Sequence, residues 1–317
     1  MWQSLARGRR QGSWSAIAWV VTLTIIVTGQ DAFAQRPSYS SGQNISPAYE
    51  GWETDVDGSR YFLFGYMNRN WEDEPTIPIG PENSMEPGGP DLGQPTHFQP
   101  RRNRFVFRVP VPDDFDAEDE LIWTLTVNGV TERAYATMRL DYFVDTIVRA
   151  SEHGAIGAGT TNPTIRANVG PSLRVEGEMH HTVRVGEPLT LTAFAEDDGV
   201  PESPRRRRLL QNPSRSDRWR PRYRGTVNTE TGLRVSWLVY RGEGAASFEP
   251  PQIKVWEDTR TGTYSPWAPG FILDPPPADG KFVAQATFDR PGTYVLRCLA
   301  SDGALDVSRH VTVTVTE

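Results

Sequence analysis

The chain has almost no lysine, a single cysteine and no apolar run long enough to span a membrane. Lys254 and Lys281 are the only lysines among 317 residues, so the basic charge is almost entirely guanidinium. Cys298 has no partner for an intrachain disulfide, so stability must come from a packed core. A composition of 37% apolar and 23% charged residues excludes both a membrane bundle and a disordered acidic tail.

The first 34 residues have the pattern of an export signal. Three arginines precede an apolar stretch at 16–27, and a small-x-small sequence ends at Ala34. An uncleaved anchor helix is the alternative, but the stretch is shorter than the roughly 20 residues needed to cross a bilayer. We expect Sec-type export with cleavage before Gln35, which places the protein in the periplasm or outside the cell.

The mature chain is predicted to be acidic. Removal of three arginines and Asp31 takes the formal net charge from −7 to −9. A field of that sign argues against nucleic acid or anionic lipid as the main partner. We therefore expect a protein or glycan partner at the cell envelope and no membrane span in the mature chain.

Residues 35–150 predict a first β-sandwich domain. Asn128-Gly129 is typical of a two-residue hairpin turn, because both residues tolerate positive φ. The 77–100 segment is too rich in glycine and proline for a strand, and we expect a loop that is either functional or covers a sheet edge. The candidate strands are 61–67, 104–109, Leu121–Val127, 130–138 and, less regularly, 140–144.

A glycine-rich linker at 151–168 is predicted to precede a second sandwich at 169–317. Pro291-Gly292-Thr293-Tyr294 and Ala300-Ser301-Asp302-Gly303 resemble the last strands of a PKD or immunoglobulin-like bacterial domain, and 182–189 resembles its opening strands. Trp237 stands where such domains place a core tryptophan. In the N-terminal half, Phe64-Gly65-Tyr66-Met67-Asn68-Arg69-Asn70 is similar to sequences of uncharacterised exported bacterial proteins. The resemblance implies an all-β fold of two immunoglobulin-like β-sandwich domains in tandem after a signal peptide.

Two departures from these families are visible. The PKD Trp-Asp-Phe-Gly-Asp-Gly sequence is absent after Trp237, and Leu296 occupies the position of the second immunoglobulin cysteine. Cys298 alternates with Leu296 and Ala300, so we expect it to be a small core residue.

A basic insert at 200–232 concentrates arginines beside two aromatic residues. Planar guanidiniums bind carboxylates, phosphates or sulfated glycans, which makes the insert a candidate docking site. A solvated loop is the alternative, because like charges repel and keep a segment extended. The candidate interaction residues are Arg205, Arg206, Arg207, Arg208, Arg218, Trp219, Arg220, Arg222, Tyr223 and Arg224.

Two smaller groups complete the candidate sites. Trp256, Tyr264 and Trp267 lie in a segment broken by glycine and proline, where exposed rings suit sugar stacking and buried rings would cover the core. The acidic group could gather at one end of the second sandwich and supply hard oxygen ligands for Ca²⁺, although Asp-Gly is also an ordinary turn. It comprises Asp197, Asp198, Asp302 and Asp306.

No recognisable catalytic sequence is present. We therefore expect a non-catalytic binding or structural protein, an adhesion protein, scaffold or accessory subunit, without a required cofactor. A carbohydrate-binding module is the first alternative. A hydrolase with a site between the domains is the second, and it would need two convergent carboxylates or a metal cluster in a deep cleft.

Overall fold

The computed structural model describes residues 39–153, 162–202, 231–252 and 276–317. Residues 39–317 form one compact unit. Its strands assemble into four sheets, which pack in pairs as two β-sandwiches. The predicted all-β class is confirmed. None of the helices in the described ranges has the length and hydrophobicity needed to cross a membrane.

The first sandwich has two antiparallel three-stranded sheets, β1-β2-β4 and β3-β5-β6. This order places the first, second and fourth strands in one sheet and the others in the second, which is the core topology of immunoglobulin-like domains. Trp123 and Phe64 lie fully buried between the sheets. The strands are β1 (Ile45–Thr54), β2 (Arg60–Asn68), β3 (Asn83–Glu86), β4 (Arg101–Pro110), β5 (Leu121–Val127) and β6 (Val130–Ala136).

Two predictions in this half need correction. The 77–100 segment contains a strand, β3, whose four residues fall between Pro81 and Pro87 and pair with β5. The 140–144 stretch is not a strand. It begins with a 3-10 turn at Leu140–Tyr142, and Phe143 makes only an isolated bridge to Trp52.

The side chain of Asn83 anchors the short strand β3 through three hydrogen bonds. Its side-chain amide donates to the carbonyls of Ile77 and Pro95 at 3.0 and 2.8 Å, and its oxygen accepts from Trp123 Nε1 at 3.0 Å. All three bonds are buried, where hydrogen-bonded polar groups are strongly constrained. One side chain therefore ties the proline-rich loop to the core.

Two short helices follow β6. Helix α1 (Thr146–Glu152) begins at Asp145, whose carboxylate accepts from Val148 N at 2.7 Å, and helix α2 (Pro163–Arg166) begins at Asn162. Both begin with the expected capping chemistry. Helix α1 lies mostly in the predicted first domain and reaches only the first two residues of the predicted linker at 151–168, whereas α2 lies within that linker.

The second sandwich has two four-stranded sheets, β10-β13-β14-β8 and β11-β12-β9-β7. β8 runs parallel to β14, and the other pairs are antiparallel. This is the immunoglobulin-like order, with the opening strand split between the two sheets. The strands are β7 (Ser172–Val175), β8 (His180–Arg184), β9 (Leu189–Glu196), β10 (Arg234–Arg241), β11 (Ala246–Glu249), β12 (Lys281–Phe288), β13 (Gly292–Ser301) and β14 (Asp306–Thr316).

The core of this sandwich confirms the predicted positions of Trp237 and Cys298, which are both buried between the sheets. Tyr294 lies beside them, and its hydroxyl donates to the Arg290 carbonyl at 3.1 Å. A tyrosine near the start of this strand that bonds back to the backbone is the tyrosine corner of immunoglobulin-like domains. The predicted hairpin at Asn128 and Gly129 is also confirmed, with φ of 51° and 76°.

Candidate functional site

A cleft of about 650 Å³ lies between the two sandwiches. β4 of the first sandwich forms one wall, and β10, β13 and β14 of the second form the other. Its volume falls within the range of about 300 to 1,000 Å³ that is usual for small-molecule sites. Five guanidiniums and three carboxylates line it: Arg108, Arg149, Arg241, Arg297, Arg309, Glu53, Asp91 and Asp306.

The proline-rich loop, residues 77–100, closes one side of the cleft and contacts the end of β10. Arg241 binds Asp91 through two hydrogen bonds of 2.7 and 3.0 Å, and its Nε donates to the Gln94 carbonyl at 2.9 Å. The Tyr240 carbonyl accepts from the backbone N–H groups of Thr96 and His97, both at 3.2 Å. The bidentate Arg241 pair lowers the pKa of Asp91, so this carboxylate is ionised at neutral pH.

Arg149 of α1 holds the opposite side of the cleft. Its Nη1 lies 2.8 Å from Glu53 Oε2, and its Nε lies 3.5 Å from Asp306 Oδ1. Its guanidinium also lies over the Phe105 ring, 5.0 Å from the centroid. Behind it, burial lowers the pKa of His153 to about 4, although Asp306 at 3.7 Å opposes the shift. His153 is therefore neutral at pH 7, and its contact with Asp306 is not an ion pair.

Arg297 of β13 lies deepest in the cleft. It is only 9% exposed, and its Nη1 donates to the Val106 carbonyl across the two sandwiches. Its Nε is buried and has no hydrogen-bond partner among the described residues. The guanidinium lies 5.6 Å from the centroid of the Tyr240 ring. Burial lowers the pKa of Arg297, but an arginine retains its charge.

A stacked aromatic pair forms the wall beside Arg297. The rings of Tyr240 and His310 lie 4.5 Å apart with an angle of 27° between their planes. Burial, followed by the charges of Arg297 and Arg241, lowers the pKa of His310 to about 4. His310 therefore adds a neutral ring, and no further positive charge, to a wall that already has several guanidiniums.

The predicted acidic group divides between two environments. The Asp197 carboxylate accepts from Gly199 N at 2.8 Å, and burial, with Asp302 and Asp198 nearby, raises its pKa to about 6. Asp302 is fully buried and accepts from Asn168 Nδ2 at 2.9 Å. Asp306 instead faces Arg149 and His153 in the cleft.

In the described ranges, no three His, Cys, Asp or Glu side chains are grouped closely enough to hold a metal ion. The calcium site stays a prediction. The candidate interaction residues of the basic insert and the aromatic group lie outside the described residues: Arg205, Arg206, Arg207, Arg208, Arg218, Trp219, Arg220, Arg222, Tyr223, Arg224, Trp256, Tyr264 and Trp267.

Sequence reasoning missed the cleft, although β13 carries a signal for it. Tyr294, Leu296 and Cys298 alternate into the core, so the intervening positions should face solvent. Two of those positions are Val295 and Leu299, which are apolar, and Leu299 is fully buried. An apolar outer face indicates that another layer covers it, and the intervening Arg297 then becomes a buried charge.

The resemblance of this chain to known proteins is weak and establishes no family. No family model and no curated protein sequence matches the chain. Solved structures that it resembles include the surface layer protein SbsC, domains 1–6 (9% identity, 87% of this chain and 28% of that one, TM-score 0.21). Others are the D00-D0 domain of intimin (8%, 86% and 100%, 0.23) and a chimeric titin Z1Z2 (10%, 87% and 100%, 0.21). The chain thus spans under a third of the SbsC structure. Similarity at this level is too small to carry a statement about function.

Proposed function

We propose that the chain is a non-catalytic binding or structural protein of the cell envelope, an adhesion protein, scaffold or accessory subunit, and that the cleft between its sandwiches receives the ligand. The two sandwiches supply rigid walls, and the Arg241–Asp91 contact fixes their spacing at one side. A pre-formed cleft of this volume is the usual form of a small-molecule binding site.

The observation that carries the proposal is the state of the ionisable groups in the cleft. Each of the three carboxylates, Glu53, Asp91 and Asp306, lies within 4 Å of an arginine nitrogen. A general acid needs a carboxyl group whose pKa is raised towards neutrality, and a guanidinium partner acts in the opposite direction. The hydrolase alternative also places its site between the sandwiches, but this arrangement favours holding a ligand over transferring a proton.

The proposal includes export and two further contact regions. We infer that residues 1–34 direct Sec-type export and are removed, which leaves the protein in the periplasm or outside the cell. We also infer that the second sandwich is PKD-like. The basic insert at 200–232 and the aromatic group at Trp256, Tyr264 and Trp267 are proposed to contact a protein or glycan partner. N-terminal sequencing of the protein recovered from the envelope fraction tests export, and the expected first residue is Gln35.

A pull-down from the source cell envelope tests the binding role. The mature chain is compared with Ser308→Trp, which fills the cleft because Ser308 pairs with Leu299 on the same sheet face as Arg297. Thr190→Trp, at an exposed position on β9 in the opposite sheet, is the matched control. We expect Ser308→Trp to lose partners that the mature chain and Thr190→Trp retain.

A third variant, with Arg205 to Arg208 replaced by serine, separates the cleft from the basic insert. Partners lost only in this variant would assign binding to the insert and contradict the role of the cleft. Turnover of a glycan or peptide by the mature chain, abolished by Ser308→Trp, would contradict the non-catalytic role. Periodate treatment of the captured material distinguishes a glycan from a protein partner.

A further inference from the structure

Arg297 is a buried positive charge that has no ion-pair partner in the part of the chain that the structure describes. The other two enclosed arginines of the cleft, Arg149 and Arg241, each pair with a carboxylate within 3 Å. Arg297 makes no ion pair with any described residue, and its one printed hydrogen bond goes to a backbone carbonyl. Burying an uncompensated charge is costly, so proteins rarely retain one without a function or a bound counter-charge.

The nearest protein carboxylate does not fill this role. Asp306 is close enough to favour the charged form of Arg297. However, its Oδ1 lies 3.5 Å from Arg149 Nε, so this carboxylate is already engaged by another guanidinium. The aromatic face of Tyr240 gives Arg297 a weaker, partial compensation. The Nε of Arg297 therefore has no hydrogen-bond acceptor among the described residues, and Arg297 is one of the residues that line the cleft.

The charges around the cleft favour an anion over a cation. Five guanidiniums and three carboxylates line the cleft, and Arg108 also pairs at 3.0 Å with Asp55, which lies outside that lining. Among the described residues, Arg297 and Arg309 are the lining arginines without an ion pair, and Arg309 Nη1 donates to the carbonyl of its neighbour, Ser308. This local excess of positive charge lies in a protein whose formal net charge is −7. A basic cleft on an acidic molecule attracts small anions selectively to that point.

We propose that the cleft binds the oxyanion group of a small acidic ligand at Arg297, while the rest of the ligand packs beside the Tyr240–His310 stack. Carboxylate, sulfate and phosphate groups share the chemistry that a guanidinium recognises. The volume of about 650 Å³ leaves room for a ring or short chain attached to that group. The inference names the ligand class of the cleft and so rests on the proposed binding role.

The direct test observes the Arg297 side chain in the mature, full-length protein. The Nε–Hε signal of Arg297 is followed by ¹⁵N NMR during titration with acetate, glucuronate, sulfate and phosphate at constant ionic strength. We expect at least one of these anions to move the Arg297 signal in a saturable way. A larger response to glucuronate than to acetate would identify a carboxylate with a ring, and a response to sulfate or phosphate alone would identify those groups.

Two variants and a matched control complete the test. Arg297→Gln removes the charge, and Arg297→Lys keeps the charge but loses the planar set of donors. We expect binding of the responding anion to weaken at least about 10-fold in both, a change equivalent to about 1.4 kcal/mol. Arg174→Gln removes a guanidinium that lies over the Phe194 ring on the opposite sheet, and it should change binding by less than about twofold.

Three outcomes would overturn the inference: an unmoved Arg297 signal with every anion, a non-saturable drift, or equal binding by Arg297→Gln and the mature chain. If the variants do not fold, the NMR titration of the unmodified protein is sufficient to decide whether an anion binds at Arg297. If no anion binds at Arg297 but Ser308→Trp still loses partners in the pull-down, the proposed ligand class is rejected and the binding role of the cleft is retained. If an anion binds at Arg297 but the pull-down recovers no envelope partner, the ligand class is supported and the proposed role in binding an envelope partner is rejected.

Discussion

Arg241 of the second sandwich and Asp91 of the first face each other through two parallel hydrogen bonds of 2.7 and 3.0 Å. They are 150 residues apart in sequence, with Asp91 in the proline-rich loop and Arg241 at the end of β10. The pair therefore joins the sandwiches by a contact that depends on direction as well as charge. It is the most specific polar contact along the rim of the cleft.

A double-mutant cycle with Asp91→Ala and Arg241→Ala should give a coupling energy of about 1 kcal/mol. The pair is partly exposed, so its energy should lie at the upper end for surface ion pairs and should fall at high salt. Urea unfolding of the four proteins measures it. The more exposed Arg69–Glu132 pair, 3.5 Å apart, is the control and should couple by less than about 0.5 kcal/mol. Equal coupling in both pairs would contradict a special role for the bidentate geometry.

Tyr240 should contribute strongly to stability, because it lies on β10 but packs into the core of the first sandwich. Tyr240→Ala is expected to lower the free energy of unfolding by about 3 kcal/mol or more through loss of a buried ring. Tyr240→Phe should cost only about 1 kcal/mol, from the hydroxyl bond to the Gly93 carbonyl. Chemical denaturation measures both.

Tyr135→Ala is the matched control, since Tyr135 is 48% exposed on β6. It should change stability by no more than about 0.5 kcal/mol. A loss below about 1 kcal/mol for Tyr240→Ala would show that the sandwiches do not depend on this ring for their contact.

Asn83→Ala should destabilise the first sandwich by about 3 kcal/mol. The substitution leaves the Ile77 and Pro95 carbonyls and the Trp123 indole N–H without their buried partner, and each unsatisfied group is costly. Urea unfolding followed by circular dichroism is a suitable measurement.

Ser84→Ala, the next residue on β3, controls for a general effect of substitution in this strand and should be nearly neutral. If Asn83→Ala were equally neutral, the proline-rich loop would have to be held by its backbone contacts alone.

His153 should make stability depend on pH. Burial lowers its pKa to about 4, whereas an unfolded histidine titrates near 6.5. Because only the unfolded state takes up the proton between these values, the contribution is complete above pH 6.5 and is lost as the pH falls towards 4. The total is up to about 3 kcal/mol, at 1.36 kcal/mol for each pKa unit. Asp306 opposes this shift, and Arg149 and Arg234 reinforce it.

Urea unfolding at pH 7.5 and pH 4.5 checks this prediction. His153→Phe should reduce the pH dependence in this range, whatever its effect on stability at pH 7.5, and the remainder is expected from His310 and Asp197, whose pKa values are also shifted. His180→Gln, at an exposed position on β8, should leave the pH dependence unchanged. An identical slope for His153→Phe and the unmodified protein would assign the pH dependence to other groups.

Local patterns predicted much of the fold. Alternation in Leu121–Val127 gave both bounds of β5, and Asn128-Gly129 gave its turn, because both features depend on residues adjacent in sequence. β3 was missed because its stability comes from Asn83 side-chain bonds to residues 6 and 12 positions away.

The cleft was missed for a different reason. A period of two distinguishes the two faces of a strand, but it does not say what covers the second face. In β13, the apolar Leu299 beside Arg297 indicates coverage, whereas the identity of the covering layer depends on how two distant parts of the chain dock. Only the three-dimensional arrangement brings Val106 to Arg297.

The buried thiol of Cys298 provides an internal reporter for the second sandwich. Burial raises its pKa to about 12, so in the closed protein it is both protonated and inaccessible. A thiol reagent can react only when β13 separates from its neighbours, and no second cysteine contributes to the signal. The labelling rate at low and high reagent concentration would therefore give the opening equilibrium and the opening rate of this half of the molecule, without any introduced probe.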